Sequence, residues 1–234
     1  MMHKLCLFDY DGTIRKGLSI YDWIKFLVKN QLIHEEICRN IQVKIQSYYS
    51  DNLSYNELVK FTYKTYCKSL TGVNEVNLIA LGKEYAVKER EQFSEFFNDT
   101  IRYLEENNFK TIIVSGSPSE VLNSVFCERN SIQIFGLELE KKSGIYTGKI
   151  EKEYGTVESK EVFIKDNIID NYDYIISFGD SMADTPLFEV SNLSFLMLPA
   201  YSVTINKNLN TNFLITTSTT AKSVIEKLEL YANQ

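Results

Sequence analysis

A chain of 234 residues can bury a sizeable core as one domain, or as one domain with a smaller insert. Hydrophobic residues make up 44% and charged residues 24%, which excludes a disordered chain. The net charge of −6 argues against nucleic acid and membranes as partners, since both select a basic surface, and no apolar run is long enough to span a bilayer.

The first predicted strand is the short apolar run Leu5-Cys6-Leu7-Phe8, which ends in Asp9-Tyr10-Asp11-Gly12-Thr13-Ile14. Alternate residues of a strand share a face, so Asp9 and Asp11 can enter one pocket if the extended geometry continues past Phe8. Buried carboxylates are costly unless paired, hydrogen-bonded or bound to metal, so this pair suggests a cation site. A calcium loop is excluded, because no Glu follows at the required offset. The start of the chain leads directly into the strand without a secretory signal, so a cytoplasmic location is expected. Cys6, Cys38, Cys67 and Cys127 form no C-x-x-C pair and read as reduced thiols. His3 and His34, with no motif around them, read as surface residues.

Helical periodicity follows. Ile20, Trp23, Ile24, Leu27 and Val28 make one apolar stripe, and Ile37, Ile41, Ile45 and Tyr48 a second. Ser54-Tyr55-Asn56-Glu57 is a capping box opening a third helix, and a fourth runs from about Asn74 to Arg90. No strand is predicted between Ile20 and Asn107. A helix with Phe97, Ile101 and Leu104 then leads to the strand Thr111–Val114 and the loop Ser115-Gly116-Ser117-Pro118. Here Ser117 is predicted as an N-cap, Pro118 as the first helical residue and Glu120 as the partner in a second capping box, with the helix running from Val121 to Arg129. A strand (Ile132–Phe135), a hairpin around Lys142-Ser143-Gly144 and a helix (Val157–Ile169) follow. Next come the strand Tyr174–Phe178 with Gly179-Asp180 at its end, a short helix to about Val190, a strand Phe195–Leu198 and a last helix over about 220–231. Strands alternating with helices predict an α/β fold with a parallel sheet. The long helical stretch reads as an inserted all-helical subdomain over residues 16–95, leaving 1–15 and 96–234 as the core.

Ligands of open α/β sheets bind at the carboxyl ends of strands. Three such ends carry polar loops: Asp9-x-Asp11-Gly12-Thr13, Ser115-Gly116-Ser117, and Gly179-Asp180-Ser181-x-x-Asp184.

With these motifs in this order, the chain resembles the haloacid dehalogenase-like hydrolase superfamily over essentially its whole length. The segments Phe8–Ile14, Val114–Pro118, Tyr146–Lys149, Gly155–Lys160 and Phe178–Leu187 look like its phosphoserine phosphatase-like branch, and the insert looks like a C1-type cap. The resemblance implies a Rossmann-like core and a magnesium-dependent phosphomonoesterase acting on a small phosphorylated metabolite. In that role Asp9 is the nucleophile and forms an aspartyl-phosphate. Asp11 is the general acid and base, touching the metal through its backbone carbonyl. Magnesium takes Asp9, that carbonyl and Asp180. Asp184 is either an indirect ligand or an acidic residue favoured at a helix N-terminus. Ser115, the amides around Gly116, and Thr13 are candidate phosphate donors. Lys160 fits the family's Gly-x-x-x-x-Lys spacing from Gly155, with Lys149, Lys152 and Lys165 as fallbacks. Gly12 and the following Arg15-Lys16-Gly17 depart from the Asp-x-Asp-Ser-Thr of phosphoserine-specific members. Tyr21, Asp22, Trp23 and Lys25 are candidates for the entrance, where Asp22 beside Trp23 suits a cationic head group. The alternatives are phosphoryl transfer to an acceptor other than water and non-catalytic binding of a phosphorylated ligand.

Overall fold

The computed structural model describes residues 2–50, 52–169, 171–198, 211–216 and 218–232. Its sheet has the strand order β4-β3-β2-β1-β5-β6-β7. The strands are β1 (Lys4–Phe8), β2 (Phe109–Pro118), β3 (Ile132–Lys142), β4 (Ile145–Lys152), β5 (Tyr174–Gly179), β6 (Leu193–Leu198) and β7 (Phe213–Thr216). All pairings are parallel except the β3–β4 hairpin, whose turn uses Ser143 and Gly144 at φ +52° and +76°. This is the α/β, Rossmann-like parallel architecture expected from the alternating pattern. β1 lies between β2 and β5, so the chain reverses its direction of travel across the sheet there, where a crevice opens beyond the strand ends.

β1 reads as an unbroken apolar run because both of its faces are covered. Leu5 and Leu7 join a cluster with Ile112, Val114, Phe163 and Ile164, while Cys6 and Phe8 join the larger core on the other face. In that core Phe8 stacks on Phe178 and Phe178 on Phe195, each at 4.5 Å between ring centres.

Between β1 and β2 run helices α1 (Ser19–Lys29), α2 (Glu35–Tyr49), α3 (Tyr55–Ser69), α4 (Glu75–Arg90) and α5 (Phe97–Glu106). The Ser54–Glu57 capping box forms as the sequence predicts. The segments leading into and out of α1–α4 lie side by side: Ser94 N–H donates to the Ile14 carbonyl (2.7 Å), and Lys16 N–H to that of Gln92 (3.1 Å). The β3–β4 hairpin meets these helices through backbone bonds between Gly72 or Val73 and Tyr146.

The rest of the chain forms α6 (Ser119–Val125), α7 (Val157–Asn167), a 3₁₀ turn at Met182–Asp184, α8 (Thr185–Glu189) and α9 (Ala221–Ala232). Two expectations are corrected. Ser117 is not an N-cap: β2 continues to Pro118, which pairs with Leu137, so the helix starts one residue later and ends at Val125. The Ser117 hydroxyl bonds Ser115 and Ser19 instead, and Glu120 accepts from the Tyr146 hydroxyl rather than closing a box. Strand β7 was not anticipated, because its four residues are too short to show a period. Among the described residues no helix is long and apolar enough to cross a membrane, and the four cysteines are free thiols. His3 and His34 are exposed.

Candidate active site

The carboxyl end of β1 delivers Asp9, whose N–H still pairs with the Phe178 carbonyl of β5 (2.9 Å). Extended geometry then stops. A tight turn follows, in which Gly12 N–H donates to the Arg15 carbonyl and Arg15 N–H to the Tyr10 carbonyl. Gly12 has φ +77°, and a methyl group there would fall 2.0 Å from Asp180 Oδ2. A Gly12→Ala variant is therefore expected to lose about 1–2 kcal/mol from the left-handed backbone alone, measured by urea unfolding, with displacement of Asp180 in addition.

Carboxylate oxygens of Asp9, Asp180 and Asp184 lie within 4.8 Å of one another. Lys160 of α7, wholly buried, donates from Nζ to Asp9 Oδ1 (2.8 Å) and Asp184 Oδ1 (2.5 Å). Three carboxylates against one ammonium leave an excess of negative charge in a buried site. Burial pushes the Asp9 carboxyl up to about 7 against the pull of Lys160. Asp180 is held well above the usual carboxylate range by burial and then by Asp184 and Asp9. Burial alone would depress the Lys160 ammonium, but Asp184 and Asp9 together push it up. The donor set fits a hard divalent cation: its charge would cancel the excess, and all candidate ligands are oxygens.

Asp184 has another task. Its Oδ2 accepts from the amides of Asp180 and Ser181 (3.0 Å each) and from the Ser181 hydroxyl (3.1 Å). With Oδ1 on Lys160, both oxygens are engaged, and the side chain braces the loop that presents Asp180.

Asp11 stands outside the three-carboxylate cluster. Its Oδ1 accepts from Ser19 N–H (2.8 Å) and its Oδ2 from the Ser19 hydroxyl (3.0 Å), at the first turn of α1. Burial raises its carboxyl to about 6, opposed by Arg15 and the two Ser19 bonds. The Ser19 hydroxyl also lies 2.7 Å from that of Ser117, whose proton it can accept while it donates to Asp11, and the Ser117 hydroxyl is 3.0 Å from that of Ser115. Thus Asp11 and Ser115 are joined by a hydroxyl chain. Thr13 is buried, with its hydroxyl unpartnered.

Arg15 ties this turn to the helices: it pairs with Glu89 of α4 (2.9 Å) and Asp22 of α1 (3.0 Å). Lys149, Lys152 and Lys165, the fallback lysines, are exposed. Trp23 is fully buried between Phe26 and Tyr85, and its Nε1 donates to Tyr66 (2.9 Å), so it lines no entrance. Ser19 and Tyr63, whose hydroxyl lies beside Gly116 and Gly155, were not singled out by the sequence, and Arg15 only as a departure from the phosphoserine motif. Helical periodicity marks faces and does not tell which face meets the strand ends.

The haloacid dehalogenase-like hydrolase family matches residues 6–189, a span running from β1 through the Asp184 loop. The chain belongs to that family. No protein of curated function matches it in sequence. Among solved structures, a Bordetella pertussis Tohama I protein of unknown function is 20% identical, with TM-score 0.71 over 84% of this chain and 91% of that one. A phosphoserine phosphatase, in a phospho-aspartyl intermediate analogue, is 16% identical at TM-score 0.64, over 97% and 99%. Cytosolic 5'-nucleotidase IIIB bound to cytidine is 13% identical at TM-score 0.69, over 99% and 88%. At these identities the likeness establishes a shared fold. As a haloacid dehalogenase-like hydrolase, the chain carries its buried Lys–Asp cluster at the carboxyl ends of β1 and β5.

Proposed function

We propose that this hydrolase is a phosphomonoesterase acting on a small phosphorylated metabolite. The observation that carries the reading is the cluster of Asp9, Lys160 and Asp180 beside a separate Asp11 whose carboxyl is held near 6. Binding alone needs no paired carboxylates of this kind, whereas phosphoryl transfer needs a nucleophile and a proton carrier in two environments. Residues 16–95 serve as a helical cap over a core of 1–15 and 96–234, a division supported by the adjacent linkers at Ile14–Lys16 and Gln92–Ser94.

In this reading Asp9 attacks phosphorus through its free carboxylate oxygen, and the ester oxygen leaves. Asp11 gives that oxygen its proton. It then takes a proton from the water that cleaves the aspartyl-phosphate, so phosphate and the starting enzyme are regenerated. Ser19 orients the Asp11 carboxyl for both transfers. Lys160 fixes the Asp9 rotamer and offsets its charge against an incoming dianion. Ser115, the Gly116 amide and Thr13 supply donors to the phosphoryl oxygens, and the unpartnered Thr13 hydroxyl suits that use. Asp9, Asp180 and the Asp11 carbonyl would hold magnesium, with Asp184 acting through the loop it braces; when bound, the ion neutralises charge on the phosphoryl group.

The test is phosphate release from a panel of small phosphomonoesters. Release is expected with magnesium and should fall at least about a hundredfold when the ion is chelated. Phosphate transfer to added alcohols at the expense of release would instead identify a transferase. Binding without release of phosphate from any ester would identify a non-catalytic binder.

A further inference from the structure

We propose that Tyr63, on helix α3, is a further phosphate-binding residue, whose hydroxyl donates to a non-bridging oxygen of the substrate's phosphoryl group. The proposal rests on the phosphomonoesterase reading and adds to it a direct contact from the inserted helices.

Two glycines place the hydroxyl. Gly116 follows Ser115 near the end of β2, and Gly155 precedes Thr156, the N-cap of the helix that carries Lys160. A methyl group built on either glycine would overlap the Tyr63 hydroxyl, and the ring carbon behind it would lie 3.2 Å and 3.0 Å away. The glycines also face each other: a methyl on Gly116 would fall 3.0 Å from the Gly155 Cα. Neither has a positive φ, so their backbones do not call for glycine. What both positions need is room, and the Tyr63 hydroxyl takes it. It therefore sits between the segment that supplies Ser115 and the segment that supplies Lys160.

Tyr63 is 5% exposed, yet its hydroxyl makes no hydrogen bond among the described residues. Other buried tyrosines end on a partner. Tyr10 donates to Glu89 (3.0 Å) and Tyr146 to Glu120 (2.6 Å), while Tyr66 accepts from Trp23 (2.9 Å). A buried phenol usually finds such a partner, so one left without it at this place is a donor held for a ligand oxygen. The backbone beside it is also released from the sheet, since the β2–β3 pairing lapses between Val114 and Pro118. The phosphoryl group needs the donor. Lys160 divides its charge between Asp9 and Asp184, and the Ser115 hydroxyl is shared with Ser117. Thr13 offers a free hydroxyl from the turn after β1, and Tyr63 offers a second from α3.

The test is calorimetric titration of inorganic phosphate into the magnesium-loaded protein. Tyr63→Phe keeps the ring and is expected to weaken phosphate binding at least about five-fold. Gly155→Ala leaves Tyr63 in place, fills the seat of its hydroxyl and should weaken phosphate binding as well. In Tyr63→Phe, kcat/KM for ethyl phosphate and for p-nitrophenyl phosphate should fall by a common factor, because the contact is to the part both esters share. Unchanged or tighter phosphate binding by either variant, or no binding by the wild type, would overturn the proposal. A loss confined to one ester would overturn it too, by placing the hydroxyl against a leaving group. Wild-type release that Tyr63→Phe leaves unchanged defeats this inference alone. Weakened phosphate binding in Tyr63→Phe, with no release from any ester by the wild type, leaves the contact standing and defeats the phosphatase reading.

Discussion

Asp9→Asn is expected to abolish phosphate release, by about 10⁴-fold or more, and to leave the protein folded and more resistant to unfolding in the absence of divalent cations. The loss follows from the proposed chemistry: an amide oxygen does not form the acyl phosphate through which turnover passes. The gain in stability follows from charge. Asp9 is buried with Asp180 and Asp184 around one ammonium, and its carboxyl is raised to about 7. A group whose folded-state pKa is raised stabilises its protonated form, so its ionisation costs stability progressively as pH rises from the usual carboxylate value toward 7. At pH 8 the wild type bears the full cost, and the neutral, isosteric Asn bears none. Asparagine can still accept from Lys160 through its side-chain oxygen. Malachite-green phosphate assays and thermal unfolding at pH 8 in chelator check both halves. Near wild-type turnover would remove Asp9 as nucleophile, and an unfolding midpoint below that of the wild type would remove the charge argument.

The sequence showed the parts of the fold that depend on short range. The apolar run before Asp9, the Ser54 capping box and the hairpin around Ser143-Gly144 each announce themselves within ten residues, and each forms. It also put Asp9, Asp11 and Asp180 at one rim, because strand ends in a parallel sheet converge on one edge; Asp9 and Asp180 do share a cluster, with Asp184 and Lys160, whereas the Asp11 carboxylate turns to Ser19. What stayed hidden depends on which helix face meets that edge. Ser19 looks like any first-turn residue, yet its N–H and hydroxyl both hold Asp11. Ser117 looked like a cap because Pro118 and Glu120 follow it, but a strand pairing with Leu137 reaches further than the local signal. Trp23 beside Asp22 suggested an entrance, whereas the indole fills the space between Phe26, Tyr66 and Tyr85. The tyrosine that does approach the site is Tyr63 of α3, beside Gly116 and Gly155, and only tertiary packing selects it.

In the proposed reading these contacts make the inserted helices part of the catalytic arrangement as well as a cover. Asp11 is oriented by the first residue of α1, and the same serine reaches Ser117 on β2, so one hydroxyl touches both sides of the crevice. Arg15 fastens the Asp11 turn to α1 and α4 through Asp22 and Glu89. Separation of α1 from the core would release Asp11 from its two donors, so the proposed proton transfer would be favoured only when the helices are seated as seen here.

Lys160 carries the second large prediction. It is the ammonium among the three clustered carboxylates, and it is buried with them. Removing one member of a buried ion pair leaves the other charges uncompensated, at a cost of about 3–5 kcal/mol. Lys160→Met keeps the length and apolar stem of the side chain and is expected to destabilise the metal-free protein by that amount in urea unfolding. Phosphate release should fall as well, since Asp9 loses the bond that fixes its rotamer. A second substitution separates charge from packing. In Lys160→Met with Asp184→Asn, the amide oxygen still accepts from the Asp180 and Ser181 amides, and the amide nitrogen faces Asp9 in place of the lost ammonium. The double variant is expected to regain at least about 1 kcal/mol relative to the sum of the single losses, because the two groups share one network. Strictly additive losses would mean that Lys160 and Asp184 stabilise the fold independently, and the account of Lys160 as the charge that permits three acids at one strand edge would fail.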